Sequence, residues 1–170
     1  MASTLNPSPT YVVVDANVLV AIAAREPLTG DIASDEMSRY TDEGCSFMAP
    51  ALIVSETLYA LCRKVESNVL SPIDYERAHI VLTTLLDVIQ IPSDFNPVVV
   101  ATRAHQLRLG YGCKRVTDSI YIALAEETGR SAETVLLTFD RDLEKQAARN
   151  APTVRVHLLE TSAPTTSETS

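Results

Sequence analysis

The sequence predicts an α/β protein: a three-layer α/β/α sandwich with a central parallel sheet of about five strands. Two observations support this prediction. Short runs rich in valine, isoleucine, leucine and phenylalanine alternate along the chain with longer segments of helical patterning. The strand-like runs are almost continuously apolar, as strands are when helices cover both faces of a parallel sheet.

A single domain accounts for most of the chain. The sequence has 170 residues, of which 46% are hydrophobic, and this suits one domain that buries about 70% of its unfolded surface. Residues 1–10 and 160–170 are rich in serine, threonine and proline, so we predict a disordered leader and a disordered tail. The folded domain is expected to span residues 11–159.

Proline and glycine separate the elements of the N-terminal half. Pro27 and Gly30 divide two helical segments, and Pro50 suits the first turn of a helix, where its missing amide hydrogen is not needed. The predicted elements are strand Tyr11 to Val14, helix Val18 to Ala24, helix Asp31 to Glu43, strand Ser46 to Ala49 and helix Pro50 to Ser67.

Capping residues organise the C-terminal half. Ser71 is a predicted N-cap with Pro72 in the first turn, and Thr117 is predicted to cap a helix that Gly129 terminates. The predicted elements are helix Ser71 to Asp87, strand Val88 to Ile91, helix Asn96 to Gly110, helix Thr117 to Gly129, strand Thr134 to Phe139, helix Asp142 to Asn150 and strand Thr153 to Leu159.

The composition excludes several classes of function. The net charge of −8 argues against a general nucleic-acid coat, although it leaves room for an enzyme with a local basic rim. The three cysteines are far apart and odd in number, which indicates a reduced, cytoplasmic protein without a zinc site. No apolar run is long enough to cross a membrane.

Asp15 and Asn17 interrupt the longest apolar stretch, YVVVDANVLVAIAA. Each residue alone is typical of a helix cap. However, a buried carboxylate without a partner costs several kcal/mol, so Asp15 is expected to have one.

Glu56 and Asp118 lie on predicted helices. Val54, Leu58, Leu61 and Val65 form the stripe expected to face the core; Glu56 falls on the opposite side and alone would be an exposed glutamate paired with Arg63. Asp118 suits the first turn of a helix because of the helix dipole. Its apolar neighbours at i+3 and i+4, Tyr121 and Ile122, indicate that it points towards the sheet.

Asp140 ends a strand, and Asp142 follows two residues later as the expected cap. Thr138 is predicted to share the sheet face of Asp140 and to hydrogen-bond a carboxylate or a water. Acids at one edge of a parallel sheet should converge, and two charges about 4 Å apart repel by roughly 4 kcal/mol at an effective dielectric of about 20. Such a cluster binds protons or a cation, and oxygen ligands favour Mg²⁺ or Mn²⁺.

Four segments, VVVDANVLV, PALIVSETLYAL, VTDSIYIALAEETG and LLTFDRDL, together resemble a PIN-domain ribonuclease, in particular the VapC-like toxins of type II toxin–antitoxin pairs. The resemblance covers nearly all of residues 11–159. It implies a Mg²⁺- or Mn²⁺-dependent endoribonuclease that leaves 5′-phosphate and 3′-hydroxyl ends. The positions that match the family's four acids are Asp15, Glu56, Asp118 and Asp140.

The same resemblance assigns supporting roles. Asn17 and Thr138 match its supporting polar positions, and Asp142 matches an extra acid that varies in the family. Ser119 stands where alanine is usual, and no consequence is expected. The candidate substrate contacts near the motifs are Arg25, Arg63, Lys64, Lys114, Arg115 and Arg141, although a solvated surface charge is the commoner role of such residues.

The resemblance also implies partners: an RNA substrate, a small antitoxin protein that blocks the pocket, often with a basic side chain, and a second copy of the chain in a homodimer. The antitoxin is expected to dock on the helical segment Ala51 to Asp87.

Three other functions remain to be weighed. A haloacid-dehalogenase-type phosphatase needs a second aspartate where Asn17 stands. A receiver domain needs a lysine at a strand end, and none is present. A non-catalytic PIN-like scaffold that binds RNA or protein would have lost acids, whereas all four positions are acidic here.

Overall fold

The computed structural model describes residues 9–93, 96–111 and 115–161. Within these residues the predicted α/β/α sandwich is confirmed: five parallel strands form one sheet, and helices flank it. The elements are β1 Tyr11–Val14, α1 Ala16–Ala23, α2 Thr29–Asp42, β2 Ser46–Met48, α3 Ile53–Glu66, α4 Pro72–Asp87, β3 Ile89–Gln90, α5 Pro97–Leu107, α6 Val116–Thr128, β4 Thr134–Thr138, α7 Arg141–Asn150 and β5 Arg155–Leu158.

The strand order is β3-β2-β1-β4-β5. The chain therefore moves outwards from β1 to β2 and β3, and then returns to the other side of β1 to add β4 and β5. The strand order reverses between β1 and β4, which pair in register from Tyr11 opposite Thr134 to Val14 opposite Leu137. Ligands of open parallel sheets bind beyond the carboxyl ends of the strands at such a point.

The core is built around the first strand and the helix that follows it. Val12, Val13 and Val14 are completely buried, because β1 has neighbours on both sides and helices on both faces. Gly30 allows the start of α2 to approach α1 closely: a Cβ at this position would lie 2.8 Å from the carbonyl oxygen of Ala21. A larger residue there would force the two helices apart.

The predicted core face of α3 is partly wrong. Leu61 is buried as expected, but Ile53 and Thr57 complete the buried stripe, while Val54 is exposed. Thr57 is accommodated because its hydroxyl donates to the carbonyl oxygen of Ile53 at 2.7 Å. The helix is therefore rotated from the predicted orientation, and Glu56 is brought beside the sheet edge.

Helix α6 begins earlier than predicted. Thr117 lies inside the helix, and Arg115 occupies the N-cap position. Gly129 ends the helix as expected. Ser71 is the N-cap of α4, as predicted, and its side chain accepts a hydrogen bond from the amide of Asp74.

The expected disordered ends fall mainly on residues 1–8 and 162–170, which lie outside the described residues. At the boundary of the predicted leader, the amide of Thr10 donates to the carbonyl oxygen of Glu133 at 2.7 Å. No helix within residues 9–93, 96–111 and 115–161 has the length and apolar character needed to cross a membrane.

Candidate active site

The four predicted acids share one pocket at the β1–β4 switch point. Asp15 follows β1, and Asp140 follows β4 as the N-cap residue of α7. Glu56 comes from the first turn of α3 and Asp118 from the first turn of α6. All four line a cavity of about 450 Å³.

Asp15 is almost fully buried, with 8% of its surface exposed. Its side chain makes no capping bond to α1, so its position is not explained by a cap. Instead, its Oδ2 accepts hydrogen bonds from Thr138 Oγ1 at 2.6 Å and from Asn17 Nδ2 at 2.6 Å. These neutral donors orient the carboxylate without neutralising its charge.

Asn17 and Thr138 also join the ends of β1 and β4. Asn17 Nδ2 donates to Thr138 Oγ1 at 3.1 Å, and Asn17 Oδ1 accepts from the amide of Phe139 at 3.2 Å. Thr138 Oγ1 accepts in turn from the amide of Asp140 at 2.9 Å. The predicted hydrogen bond from Thr138 to a carboxylate is thus present, and both residues hold two acids in place.

Burial raises the pKa of Asp15 to about 7, against a usual value of 3.8. The nearby charges of Asp118 and Glu56 push the pKa further up, whereas the Thr138 hydrogen bond pulls it down. At neutral pH this carboxyl group is therefore close to half protonated in the absence of a cation. A cation in the pocket would displace that proton.

Glu56 is partly buried and is held by the hydroxyl of Tyr121, which donates to its Oε2 at 2.7 Å. Burial raises the pKa of Glu56, while the hydrogen bonds from Tyr121 and Thr117 lower it and the charge of Asp118 raises it. Arg63 does not pair with Glu56, because its guanidinium contacts Glu66 at 2.9 Å. The exposed ion pair that was the alternative for Glu56 is therefore wrong.

Arg115 contacts three acids, of which Asp118 and Asp140 line the pocket. Its Nη1 lies 2.8 Å from Asp118 Oδ2 and 2.9 Å from Asp140 Oδ2, and its Nη2 lies 2.5 Å from Asp142 Oδ2. Burial raises the pKa of Asp118, and the hydrogen bond from Arg115 opposes that rise.

The cap of α7 differs from the prediction. Asp140, not Asp142, is the N-cap: its Oδ1 accepts from the amide of Asp142 at 2.7 Å and from the amide of Leu143 at 3.3 Å. The strand ends one residue earlier than expected, at Thr138, which moves the cap position back to Asp140. One oxygen of Asp140 thus serves the helix, and the other faces Arg115.

The donor set fits a hard divalent cation. Four carboxylates face one cavity, and none of the described residues that line it is a histidine or a cysteine. Oxygen donors are what Mg²⁺ and Mn²⁺ prefer. Across the described part of the chain, no three acidic, histidine or cysteine side chains are already grouped to hold a metal ion. Arg115 lies between Asp118 and Asp140, so their oxygens are turned towards a guanidinium.

The predicted basic contacts are spread over different places. Lys64 lines the pocket and pairs with Glu26 at 2.5 Å. Arg25 lies beside a different cavity, formed with α4, and Arg141 is exposed and pairs with Glu160 at 2.9 Å. Lys114 lies outside the described residues. Only Arg115 and Lys64 of the described candidates therefore border the acids.

Sequence reasoning did not assign Tyr121, Thr117 or Tyr59 to the site. Tyr121 and Thr117 hydrogen-bond Glu56, and Tyr59 lines the pocket with 68% of its surface exposed. Helical spacing could have indicated the two tyrosines. Tyr121 stands three residues after Asp118, and Tyr59 stands three residues after Glu56, so each pair shares a helix face.

The fold and the site together describe a class of protein: an α/β protein with a cluster of carboxylates at one edge of its parallel sheet, where a cation is expected to bind. The PIN domain family model matches residues 12–149, which include all four acids. The chain therefore belongs to the PIN domain family, as its sequence motifs predicted. This membership sets aside the phosphatase and receiver-domain alternatives.

Solved structures share the fold. The structure of VapBC2 from Rickettsia felis, bound to a DNA fragment from its promoter, contains a chain that is 14% identical to this one. The TM-score is 0.57 over 88% of this chain and 99% of that chain. PAE2754 from Pyrobaculum aerophilum is 23% identical, with a TM-score of 0.56 over 81% of this chain and 84% of that chain. A domain of a functionally unknown protein from Methanocaldococcus jannaschii is 16% identical, with a TM-score of 0.51 over 91% and 94%. No curated protein matches the chain significantly.

Proposed function

We propose that this protein is a metal-dependent endoribonuclease that hydrolyses RNA phosphodiester bonds. The observation that supports this proposal most directly is the convergence of Asp15, Glu56, Asp118 and Asp140 on one pocket. Asp15 is buried among other acids with a pKa raised to about 7. Such a group is stabilised in its charged form by a cation, and the fold belongs to a family of nucleases.

The four carboxylates would hold Mg²⁺ or Mn²⁺. When bound, such an ion supplies the positive charge that polarises a scissile phosphate and activates water for attack. The chain provides the orientation: Thr138 and Asn17 fix Asp15, and Tyr121 fixes Glu56. Because these donors are themselves anchored, the carboxylates need little reorganisation when charge develops in the reaction.

The rim of the pocket offers two substrate contacts. Tyr59 presents an exposed ring beside the acids, on which an unpaired base could stack. Lys64, five residues further along α3, can reach a phosphate if it leaves Glu26. These contacts suit single-stranded RNA, whose bases are free to leave a helical stack.

The protein is further proposed to be the toxin of a toxin–antitoxin pair in the cytoplasm. The motif resemblance to VapC-like toxins supports this role, and the fold is shared with VapBC2. A small antitoxin would block the pocket, and the segment Ala51 to Asp87 exposes Ile73 and Ile80 on α4 as apolar docking side chains. A homodimer is the proposed assembly.

Cleavage of RNA by the purified protein tests the enzymatic proposal. We expect cleavage with Mn²⁺ or Mg²⁺, none with EDTA, and none in Asp15→Ala or Asp118→Ala. Asp35→Asn is the matched control, because Asp35 is an exposed acid of α2 outside the pocket. Metal binding without cleavage of any RNA would favour the non-catalytic scaffold, and equal cleavage by all variants would indicate a contaminating nuclease.

A further inference from the structure

Arg115 has more contacts with the candidate site than any other described cation. A single guanidinium bridges Asp118 and Asp140 through Nη1 and reaches Asp142 through Nη2. These three acids lie at the starts of two different helices, α6 and α7, with Asp140 as the N-cap of α7. The guanidinium thus occupies the space between carboxylates that would have to approach a common ion.

We propose that Arg115 is a built-in substitute for a second metal ion, so that the site binds one divalent cation and not two. This inference rests on the proposed function. Asp15, Glu56 and the remaining oxygen of Asp118 would hold the single ion. Arg115 places a permanent positive charge beside Asp140 and Asp142 and so reduces the repulsion between their carboxylates.

The division of charge within the pocket supports this assignment. Among the described residues, Asp15 and Glu56 receive side-chain hydrogen bonds from neutral groups only, namely Thr138, Asn17, Tyr121 and Thr117. The acids on the other side already have a cation, and an arginine remains protonated at any physiological pH. A second ion would need the Oδ2 atoms of Asp118 and Asp140, which the guanidinium of Arg115 already contacts.

The backbone of Arg115 is held by a chain of hydrogen bonds from α6 and α7. Ser119 Oγ donates to the carbonyl oxygen of Arg115 at 2.8 Å, and Gln146 Nε2 donates to Ser119 Oγ at 2.7 Å. Ser119 and Gln146 are completely buried, so this chain of hydrogen bonds is shielded from water. The serine that was expected to have no consequence therefore holds Arg115 at the start of α6.

Two kinds of hydrogen bond thus keep Arg115 in place. The side chain is held by three acids, and the carbonyl oxygen by a buried hydroxyl that is itself anchored on α7. An exposed arginine paired by chance would have no such support. Arg141, whose ion pair within the described part of the chain is with the exposed Glu160, shows the difference.

Mn²⁺ binding to the metal-free protein tests the inference. Isothermal titration gives the number of ions, and electron paramagnetic resonance distinguishes an isolated Mn²⁺ from a coupled pair. We expect one isolated ion per chain in the wild type. In Arg115→Gln we expect a second ion and a coupled spectrum. Arg115→Lys, which keeps the charge, should retain one ion.

Controls separate this effect from a general change of charge. Arg63→Gln removes an exposed arginine that pairs with Glu66 outside the pocket, and it should bind one ion. Ser119→Ala should loosen Arg115 and allow a weak second ion. If Arg115→Gln does not fold, as judged by circular dichroism, Ser119→Ala decides the matter, because one ion in that folded variant would overturn the inference.

Two coupled ions in the wild type, or one ion in folded Arg115→Gln, would overturn the inference. RNA cleavage by a wild type with two ions would leave the proposed function intact. One bound ion without cleavage of any RNA would instead remove the nuclease and keep the role of Arg115. A wild type that binds no Mn²⁺ would contradict both.

Discussion

The hydroxyl of Thr138 donates a 2.6 Å hydrogen bond to Oδ2 of Asp15, a residue 123 positions earlier in the chain. This bond joins the carboxyl ends of the two strands between which the strand order reverses. It lowers the pKa of Asp15, which burial and neighbouring acids raise. One side chain thus positions the most buried acid of the site and favours its charged form.

Thr138→Val should weaken both the fold and the binding of Mn²⁺. Valine keeps the β-branched shape, but Asp15 loses a hydrogen-bond donor. The backbone amide of Asp140 and the side-chain amide of Asn17 each lose an acceptor. We expect the free energy of unfolding to fall by about 1–3 kcal/mol. The affinity for Mn²⁺ should fall about tenfold, since a further rise in the pKa of Asp15 makes the proton a stronger competitor.

Thr138→Ser is the matched control, because it retains the hydroxyl at the end of β4. Thermal melting and calorimetric titration of the three proteins would check the prediction. Unchanged melting and Mn²⁺ affinity in Thr138→Val would show that the hydroxyl does not orient Asp15.

Asp15→Asn should stabilise the metal-free protein at neutral pH. The native state holds a proton on Asp15 up to a pKa of about 7, whereas the unfolded chain releases it near 3.8. Between these values the native state binds more protons than the unfolded state, so stability falls as pH rises. The free energy of unfolding of the wild type falls by at most about 4 kcal/mol over this pH range. Asparagine has no such proton to lose.

Urea unfolding in EDTA at several pH values would measure this difference. The variant and the wild type should be similarly stable near pH 4, and the variant should gain an advantage as pH rises to 7.5. Mn²⁺ should stabilise only the wild type appreciably, because ligand binding to the native state adds to its stability. A difference that does not vary with pH would contradict the raised pKa.

Most of the fold could be predicted from the sequence, because strands that are buried on both faces are continuous apolar runs. Residues 11–14 and 134–138 are examples. The acids at strand ends could be predicted for a related reason: Asp15 and Asp140 follow such runs directly, and the carboxyl ends of parallel strands meet at one edge.

The orientation of side chains was less predictable. Both sides of α3 carry apolar residues, so the helical pattern alone did not distinguish the stripe of Val54 from the stripe of Ile53. Packing against α1 and α4 decides between them. The contacts of Arg115 with Asp140 and Asp142 span 25 and 27 residues, and nothing local in the sequence indicates that its partners would be acids of the site instead of RNA phosphates.

Tyr121→Phe should shift the pH dependence of RNA cleavage. The ring remains buried, but Glu56 loses the hydroxyl that donates to it at 2.7 Å. Because that hydrogen bond lowers the pKa of Glu56, its loss should raise the pKa. The acidic limb of the rate profile should then move up by about one pH unit, as expected for a hydrogen bond to a charged group.

Tyr40→Phe provides the comparison for Tyr121→Phe. Tyr40 is another buried tyrosine, but its hydroxyl lies 2.9 Å from Nδ1 of His157 and does not touch the acids. Its pH profile should match the wild type. Equal shifts in both variants would trace the effect to a general loss of stability and not to Glu56.

Tyr59→Ala should raise KM for single-stranded RNA about tenfold and leave kcat nearly unchanged. The ring is exposed at the rim of the pocket and lies one turn from Glu56, so it can stack on a base without contacting the reacting phosphate. Stacking of one base on an aromatic ring is worth about 1–3 kcal/mol. Tyr59→Phe keeps the ring and should retain the wild-type KM. Steady-state cleavage of one defined oligonucleotide distinguishes the possibilities: a loss in Tyr59→Phe as large as in Tyr59→Ala would point to the hydroxyl, and a fall in kcat at constant KM would place Tyr59 in the chemical step.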